Sequence, residues 1–421
     1  MPRQLLADGG GRLEGARIVT SYREDFKKGL FAQAPAGGEV RDMPPVEMLS
    51  RQPNSPDAVA PPKVAFRDRE LERVWDRILS GERLGLPDGL ACLETWDLAA
   101  LGAMADHAAR RLHGDKVYFT LNRQLNPTNI CVLDCVFCDF AARPKNDPKG
   151  YELDWDQILA HVTDDIREIH IVGGLHHKWP YEKYVEIVRR IREKSPTITI
   201  KAWTAVEIDF FAKIGKRSIE RVLEEMVEAG LDALPGGGAE VFSERVRQAL
   251  FKHKIGEREW FQVHDTAHRM GIPTNCTLLY GHIETYEERV DHVLKLRDQQ
   301  DRTGGFLAFI PLEYQLGTTK IVDRQASAIE DLRTIAMSRL VFDNIPHVKS
   351  YWVMLGEQTA EIALNFGATD LDGTIGRELI AHMALAESAA GHAREELVRM
   401  IRAAGKIPVE RDALYREIDA R

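Results

Sequence analysis

Three cysteines lie within eight residues, and their thiols are the side chains of this sequence best suited to chemistry: Cys131, Cys135 and Cys138. Thiolates are the usual ligands of iron–sulfur clusters, and a cubane cluster normally takes four of them. The chain has five cysteines in all, and the remaining two, Cys92 and Cys276, stand alone in apolar surroundings. Three thiols on one loop without a fourth therefore predict a cluster in which one iron is open to a reacting ligand.

Two other uses of the three thiols remain open from the residues alone, a zinc site and a disulfide. Zinc generally takes four tetrahedral ligands in short, paired spacings. The one downstream pair at such a spacing is His264 and His268, on a predicted helix, and a zinc site built with it would leave one thiol spare. We interpret these histidines as a solvated or packed pair. A disulfide framework suits a small secreted chain, so the cluster is favoured.

The C-x3-C-x2-C spacing, with the aromatic Phe137 before the third cysteine, resembles the signature of the radical S-adenosylmethionine (SAM) enzymes. The resemblance implies that the three thiolates bind three irons of a [4Fe–4S] cluster. It also implies that SAM, a co-substrate, chelates the fourth iron and is cleaved to a 5′-deoxyadenosyl radical. An external electron donor such as flavodoxin or ferredoxin is the partner that this chemistry implies.

Composition excludes several classes of function. The chain has 421 residues, 44% of them hydrophobic, and a formal net charge of −9. A nucleic-acid-binding protein would carry a basic face, and no apolar run approaches the ~20 residues of a membrane span. The first ten residues lack a secretory signal, and an odd number of cysteines argues for a reducing compartment. We expect a soluble cytoplasmic enzyme with no nucleic-acid or membrane partner; a homodimer is left open.

The chain divides by composition into four predicted segments. Residues 1–63 are predicted to form a loosely ordered extension, because seven of the 19 prolines fall between Pro35 and Pro62. Residues 64–115 are predicted to form helices before a barrel, with a turn at 86–89 between two of them. Residues 116–380 form the predicted barrel, and 381–421 are predicted to be C-terminal helices.

The barrel prediction rests on regular alternation of short apolar strands with helices. Seven strands are predicted at 116–121, 169–172, 198–203, 231–234, 274–280, 306–310 and 348–354. An eighth, after a short helix at 359–364, has the weakest pattern. Strands buried on both faces imply parallel pairing, which fits an open doubly wound sheet or a closed barrel. The strand count favours an α/β fold of the (β/α)8 type, and the resemblance supports this radical SAM barrel.

The active sites of such barrels lie at the C-terminal ends of the strands. Gly173 and Gly174 end the second strand, where the radical SAM family carries a glycine pair that lets the backbone approach the amino group of SAM. Glu240, after the fourth strand, and the apolar Ile310, on the sixth, are the other predicted SAM contacts, with Phe137. The strand ends also present side chains whose roles the sequence leaves open, namely His176, Glu207 and His282.

A narrower resemblance covers about 300 residues, from Val117 to Tyr415. It looks like the aminodeoxyfutalosine synthases of the futalosine route to menaquinone. The motifs that carry it are HIVGGLH at 170–176, KAWTAVEI at 201–208, LYGHIET at 279–285, TGGF at 303–306, DLDGT at 370–374 and AGKIPVERD at 404–412. The N-terminal extension departs from that pattern.

The narrower resemblance implies a reaction. The adenosyl radical would add to 3-[(1-carboxyvinyl)oxy]benzoate, with aryl migration and loss of CO2 or bicarbonate, giving aminodeoxyfutalosine and methionine. Such a dianion needs cations or backbone donors, for which Lys201 and Arg302 are candidates. Catalytic side chains are not identified. The alternatives are a sister radical SAM enzyme, either the dehypoxanthine futalosine cyclase or a deazaflavin synthase subunit, and a cluster carrier without enzyme activity.

Overall fold

The computed structural model describes residues 59–144, 147–376 and 378–418. Most of the predicted extension, residues 1–58, lies outside the described residues, and 59–63 are exposed and have no regular structure. The division of the chain into four segments remains a prediction. No helix within the described ranges is long and apolar enough to cross a membrane.

Three helices precede the barrel: α1 (Arg69–Ser80), α2 (Leu86–Glu94) and α3 (Leu98–His113). The turn predicted at 86–89 is wrong, because those residues are the first turn of α2. Pro87 is tolerated there, since the first N–H groups of a helix have no partner within the helix. Gly89 serves packing and not a turn: a Cβ on it would lie 2.5 Å from Val290.

From residue 116 onward, strands and helices alternate as predicted, except that the strand predicted at 231–234 is reduced to isolated bridges at Ala233 and Leu234. The strands are β1 (Lys116–Thr120), β2 (Asn122–Leu125), β3 (Glu168–Ile171), β4 (Thr199–Ala202), β5 (Thr274–Tyr280), β6 (Phe306–Glu313), β7 (His347–Val348), β8 (Asp370–Gly373) and β9 (Ile407–Arg411). The helices are α4 (Trp155–Ala160), α5 (Tyr181–Lys194), α6 (Ala205–Gly215), α7 (Ile219–Ala229), α8 (Glu244–Leu250), α9 (Glu257–Arg269), α10 (Tyr286–Thr303), α11 (Ala328–Val341), α12 (Trp352–Leu355), α13 (Glu357–Ala363), α14 (Ile380–Met383) and α15 (Arg394–Ala403).

The strands form a parallel barrel of the (β/α)8 type. β2, β3 and β4 pair in order, as do β5, β6 and β7, and β8 pairs with β1. Parallel bridges join these sheets: Lys201 with Ala233, Leu234 with Thr274, and Lys349 with Asp370. The ring therefore closes around a single interior, as the strand count predicted, and excludes the open doubly wound alternative.

Two elements near the C-terminus differ from the sequence prediction. The strand predicted at 348–354 ends at Val348, and its aromatic second half turns into α12, so that Tyr351 and Met354 can face the interior. The segment after residue 380 contains a strand as well as helices, since β9 pairs with β1 in parallel over five residues. Local β-propensity predicts neither feature, because both are set by contacts distant in sequence.

A layer of buried charges lies inside the barrel. Lys201 Nζ is 2.5 Å from Glu168 Oε1, and Arg411 on β9 donates to Asp370 Oδ2 over 2.6 Å. Lys349 is also buried and lies 3.8 Å from Asp370. Burial opposes ionisation of the Glu168 carboxyl, but Lys201 and Arg411 outweigh it and hold its pKa down at about 2. The final strand therefore supplies a cation that this layer needs.

This layer predicts a stability difference between two arginines near the C-terminus. Arg411→Leu should lower the free energy of unfolding by about 3–5 kcal/mol, because it leaves the buried carboxylates of Asp370 and Glu168 short of a cation. Arg416→Leu is the matched control: Arg416 is 67% exposed and pairs with Asp412, so its loss should change stability little. Urea unfolding of both variants would measure the difference, and equal effects would contradict the interpretation.

Candidate active site

A cavity of about 330 Å³ opens at the C-terminal ends of the barrel strands. Its upper end is lined by the cysteine loop, and its walls are mainly apolar. Its deeper end is polar. The lining includes Cys131, Cys135, Phe137, Cys138, Gly173, Glu207, Glu240 and Ile310, and among the residues that the sequence did not single out, Gln124, Lys254, Asn275, Glu313 and Tyr351.

The cysteine loop is held to the barrel by its backbone. The N–H of Cys131 donates to Ala142 O over 2.9 Å, and the N–H of Val132 donates to Leu175 O over 3.0 Å. The N–H of Val136 reaches Leu250 O over 2.7 Å. Hydrogen bonds to three separate parts of the chain fix the loop, so all three thiols face one cavity.

All five cysteines, each within the described chain, are free thiols, so the disulfide alternative does not hold. Burial raises the pKa of Cys131 to about 11 and raises that of Cys135 and Cys138 as well. Metal ligation would therefore have to displace protons from these thiols. Within the described residues no three Cys, His, Asp or Glu side chains converge as a single metal ion requires; ligands of a cluster bind separate irons and need no such convergence.

The two glycines after β3 have different positions. Gly173 lines the cavity, and its N–H donates to Glu207 Oε1 over 2.8 Å. Gly174 packs against the cysteine loop instead, where its N–H donates to Thr128 O over 2.8 Å. A Cβ on Gly174 would lie 2.3 Å from Ile130 O, so only glycine allows the loop to approach this closely.

Glu240 has a buried partner that the sequence did not indicate. Lys254 Nζ donates to the Glu240 carboxylate, and both side chains line the cavity beside the cysteine loop. Burial works to lower the pKa of Lys254, but the Glu240 carboxylate outweighs it and raises that pKa. The pair places a lysine ammonium and a carboxylate next to Phe137, with Nζ 5.6 Å from the ring centre.

Glu207 is both a helix cap and a wall of the cavity. Its Oε2 accepts from the Thr204 N–H over 2.7 Å and from the Thr204 hydroxyl over 2.9 Å, a capping box at the start of α6. Burial raises the pKa of its carboxyl to about 7 against these hydrogen bonds. The carboxyl therefore bridges Thr204, after β4, to Gly173, after β3.

A second perturbed carboxyl lies on the opposite wall. Burial and the nearby Asp331 raise the pKa of Glu313 to about 8, and burial raises that of Asp331 to about 7. The Tyr280 hydroxyl donates to Asp331 Oδ1 over 2.8 Å. At neutral pH the Glu313 side chain is therefore mostly protonated and can donate a hydrogen bond into the cavity.

Four other candidates lie outside the cavity lining. His176 stacks between His177 and Trp179, with ring centres 5.1 and 5.0 Å away. His282 closes its own turn, with Nε2 3.0 Å from Leu279 O. The two cations suggested as substrate ligands do not line the cavity either. Lys201 is paired with Glu168 in the charge layer below the cavity, and Arg302 donates to Gln299 over 2.6 Å.

The buried residues outside the cavity pack as expected. His264 and His268 both share Thr274 Oγ1, at 2.9 and 2.8 Å, so they are a packed pair and not a metal site. Cys92 and Cys276 are fully buried in the core.

The residues present fit the cofactors that the cysteine motif implies. Three free thiols lie at one end of a cavity large enough for a small molecule. Beside them, Gly173 exposes its backbone, and Glu240 and Lys254 provide polar groups.

Comparison with known proteins agrees with this geometry. Residues 125–296 match the model of the radical SAM superfamily, and residues 303–420 match the CofH/MqnC C-terminal region. The first match spans the cysteine loop and the strands β3, β4 and β5. The second spans the strands from β6 to β9.

Curated relatives match over most of their length. The chain is 43% identical to the aminodeoxyfutalosine synthase of Thermus thermophilus, covering 84% of this chain and 97% of that one. It is 42% identical to the Streptomyces coelicolor protein of the same name, over 82% of this chain and 93% of the other. The cyclic dehypoxanthine futalosine synthase of Streptomyces coelicolor is 34% identical, over 83% and 89% of the two chains.

A solved structure shows the same fold. Methylornithine synthase aligns with a TM-score of 0.61 at 18% identity, over 80% of this chain and 97% of that one. The protein is thus an enzyme with transferase-type radical chemistry, and it belongs to the radical SAM superfamily, in the family of the aminodeoxyfutalosine synthases.

Proposed function

We propose that this enzyme is an aminodeoxyfutalosine synthase that acts on 3-[(1-carboxyvinyl)oxy]benzoate. The reaction joins the 5′-deoxyadenosyl group of SAM to the enolpyruvyl carbon, moves the aryl group, and releases CO2 or bicarbonate and methionine. The product is 6-amino-6-deoxyfutalosine. The observation that carries the proposal is the 43% identity to an aminodeoxyfutalosine synthase over 97% of its length, against 34% for the cyclase.

The upper end of the cavity would hold the cofactors. Cys131, Cys135 and Cys138 would each bind one iron of a [4Fe–4S] cluster. When bound, the cluster and SAM would supply the 5′-deoxyadenosyl radical. Gly173, Ile310 and Phe137 would contact SAM from the lining, and Glu240, held by Lys254, would offer its carboxylate to a hydroxyl. Gly174 would act indirectly, because it lets the cysteine loop pack against the end of β3.

Two further segments cover part of the cavity beside the cysteine loop. The segment after β6 crosses to the cysteine loop, where the Thr318 N–H donates to Asp139 Oδ2 over 2.8 Å. Ala381 and Ala384, on and just after α14, line the same end. Excluding water in this way would protect a radical from side reactions, and a fixed vinyl carbon would supply the orientation that the addition needs.

The electron donor, the cellular location and the oligomeric state belong to the same proposal. An external donor such as flavodoxin or ferredoxin would reduce the cluster one electron at a time. A cytoplasmic location and a homodimer are consistent with the family.

One observation favours a second candidate. The C-terminal region, residues 303–420, matches a family model named for the sister enzymes. A 5-amino-6-(D-ribitylamino)uracil–L-tyrosine 4-hydroxyphenyl transferase of Methanopyrus kandleri is 37% identical over 75% of this chain. A sister radical SAM reaction, that of the cyclase or the deazaflavin synthase subunit, is therefore the alternative to test.

The substrate assignment predicts a specific product. Anaerobic enzyme with reductant, SAM and 3-[(1-carboxyvinyl)oxy]benzoate should form 6-amino-6-deoxyfutalosine, detected by mass spectrometry. Dehypoxanthine futalosine, and tyrosine with the ribitylaminouracil, are the matched control substrates and should give no product. Free 5′-deoxyadenosine without an adduct, or turnover of a control substrate, would assign the enzyme to a sister reaction.

The protonation state of Glu313 predicts that the KM for the substrate depends on pH. Its pKa is raised to about 8, so the carboxyl is neutral below that pH and becomes an anion facing a dianionic substrate above it. The KM for the substrate should therefore rise above pH ~8, approaching about tenfold per pH unit, the limit for a one-proton linkage. Glu313→Gln, which stays neutral, should flatten the rise, and an unchanged profile in that variant would show that another group titrates.

A further inference from the structure

The deep end of the cavity holds polar side chains that the proposed cofactor site does not use. Gln124 on β2 and His170 on β3 pair in register, so their side chains point to the same side of the sheet, and both line the cavity. Asn275, near the start of β5, and Tyr351, after β7, complete this group. We call these four residues the polar floor.

Among the described residues, the imidazole of His170 has no hydrogen-bond partner, although the backbone of His170 pairs within the sheet. Its Nε2 is shielded from solvent. A buried polar group without a partner costs free energy unless a ligand or water satisfies it. The residue lies three positions before Gly173, deeper in the barrel than the proposed SAM contacts. The unused hydrogen-bonding groups of the His170 ring therefore face the part of the cavity that SAM would leave for a second molecule.

The rest of the polar floor can also donate. No hydrogen bond within the described chain uses the side-chain amide of Asn275, which lines the same cavity. The Tyr351 oxygen accepts from Gln124 Nε2 over 3.0 Å, which leaves the hydroxyl proton to point elsewhere. Burial and the nearby Lys201 lower the pKa of His170 to about 3, so the ring stays neutral and carries one N–H.

The charges around the floor suit an anion. Lys254, the cation in the described part of the lining, is already paired with Glu240 near the cysteines. Asp372 at the floor is 3.2 Å from Lys349 Nζ, and Glu378 accepts from the N–H groups of Ile380 and Ala381 over 2.7 and 2.8 Å. The acidic groups nearest the floor therefore already have donors, and the unused groups are neutral donors.

Resting on the proposed function, we propose that His170, Asn275 and Tyr351 bind the ring carboxylate of the enolpyruvyl benzoate. The vinyl carbon must lie towards the thiols, where the adenosyl radical would form. The ring carboxylate is at the opposite end of that molecule, and so reaches the floor. His170 is in this sense a positioning residue, which sets how far the vinyl carbon extends towards SAM.

The test compares His170→Leu with His170→Gln in the reconstituted full-length enzyme. The leucine variant should raise the KM for 3-[(1-carboxyvinyl)oxy]benzoate by about 10- to 100-fold, as for a lost hydrogen bond to a charged group. It should also release more 5′-deoxyadenosine per adduct. The glutamine variant, which keeps an N–H donor, should recover part of the loss. His264→Leu, another buried histidine outside the cavity, is the matched control and should keep the wild-type KM.

A substrate analogue separates binding from structural damage. With 2-phenoxyprop-2-enoate, which lacks the ring carboxylate, wild type and His170→Leu should have equal KM values, because the contact is absent in both. A wild-type KM in His170→Leu, or an equal loss with both substrates, would overturn the inference. If His170→Leu also failed to cleave SAM in the absence of the benzoate substrate, His170 would belong to the cofactor site, and the inference would be overturned too. If wild type itself forms no adduct, the proposed function fails instead.

Discussion

The close contact between Gly174 and the backbone of Ile130 is the constraint on which the site depends. The absence of a side chain at Gly174 lets the cysteine loop lie directly on the end of β3, where any Cβ would collide with Ile130 O at 2.3 Å. Backbone hydrogen bonds from Cys131, Val132 and Val136 then fix the rest of the loop. The thiols are positioned by main-chain contacts, so their own side chains remain free to bind metal.

The charges of the barrel are sorted by depth. Below the cavity, Glu168, Asp370, Lys201, Lys349 and Arg411 form a buried layer in which opposite charges are adjacent. Within the cavity, the carboxylates of Glu240, Asp372 and Glu378 each have a donor, while burial keeps Glu313 mostly protonated at neutral pH. The result is a cavity with many acidic side chains but little free negative charge. This is compatible with an anionic substrate.

Much of the fold followed from periodicity, since short apolar strands alternating with amphipathic helices have few other parallel arrangements. Periodicity did not predict strand β9 (Ile407–Arg411), because this strand is only half buried. Its partner strand, β1, lies some 290 residues earlier in the chain. The end of β7 was also missed, since aromatic residues that favour strands occur in α12. Both depend on contacts distant in sequence.

Motif spacing and strand ends are visible in the sequence, and they pointed to the three cysteines and to Gly173, Glu240 and Ile310, which line the cavity. The strand-end residues His176 and His282 lie outside its lining. The sequence did not point to Lys254, because it lies on an irregular segment after α8 and meets Glu240 only in the folded chain. The same limit explains Lys201 and Arg302: a charge near a strand or helix end does not reveal which way its side chain points. His170 carried one usable signal, a polar residue between the apolar Ile169 and Ile171.

The central claim is that three thiolates leave one iron of a cluster open to SAM. The most direct test is electron paramagnetic resonance of the anaerobically reconstituted, reduced protein before and after addition of SAM. We expect a [4Fe–4S]⁺ signal that changes when SAM is added. The Cys276→Ala variant should keep this signal, and the Cys131→Ala variant should lose it. A signal that SAM leaves unchanged, or a cluster held by four side chains, would contradict the account.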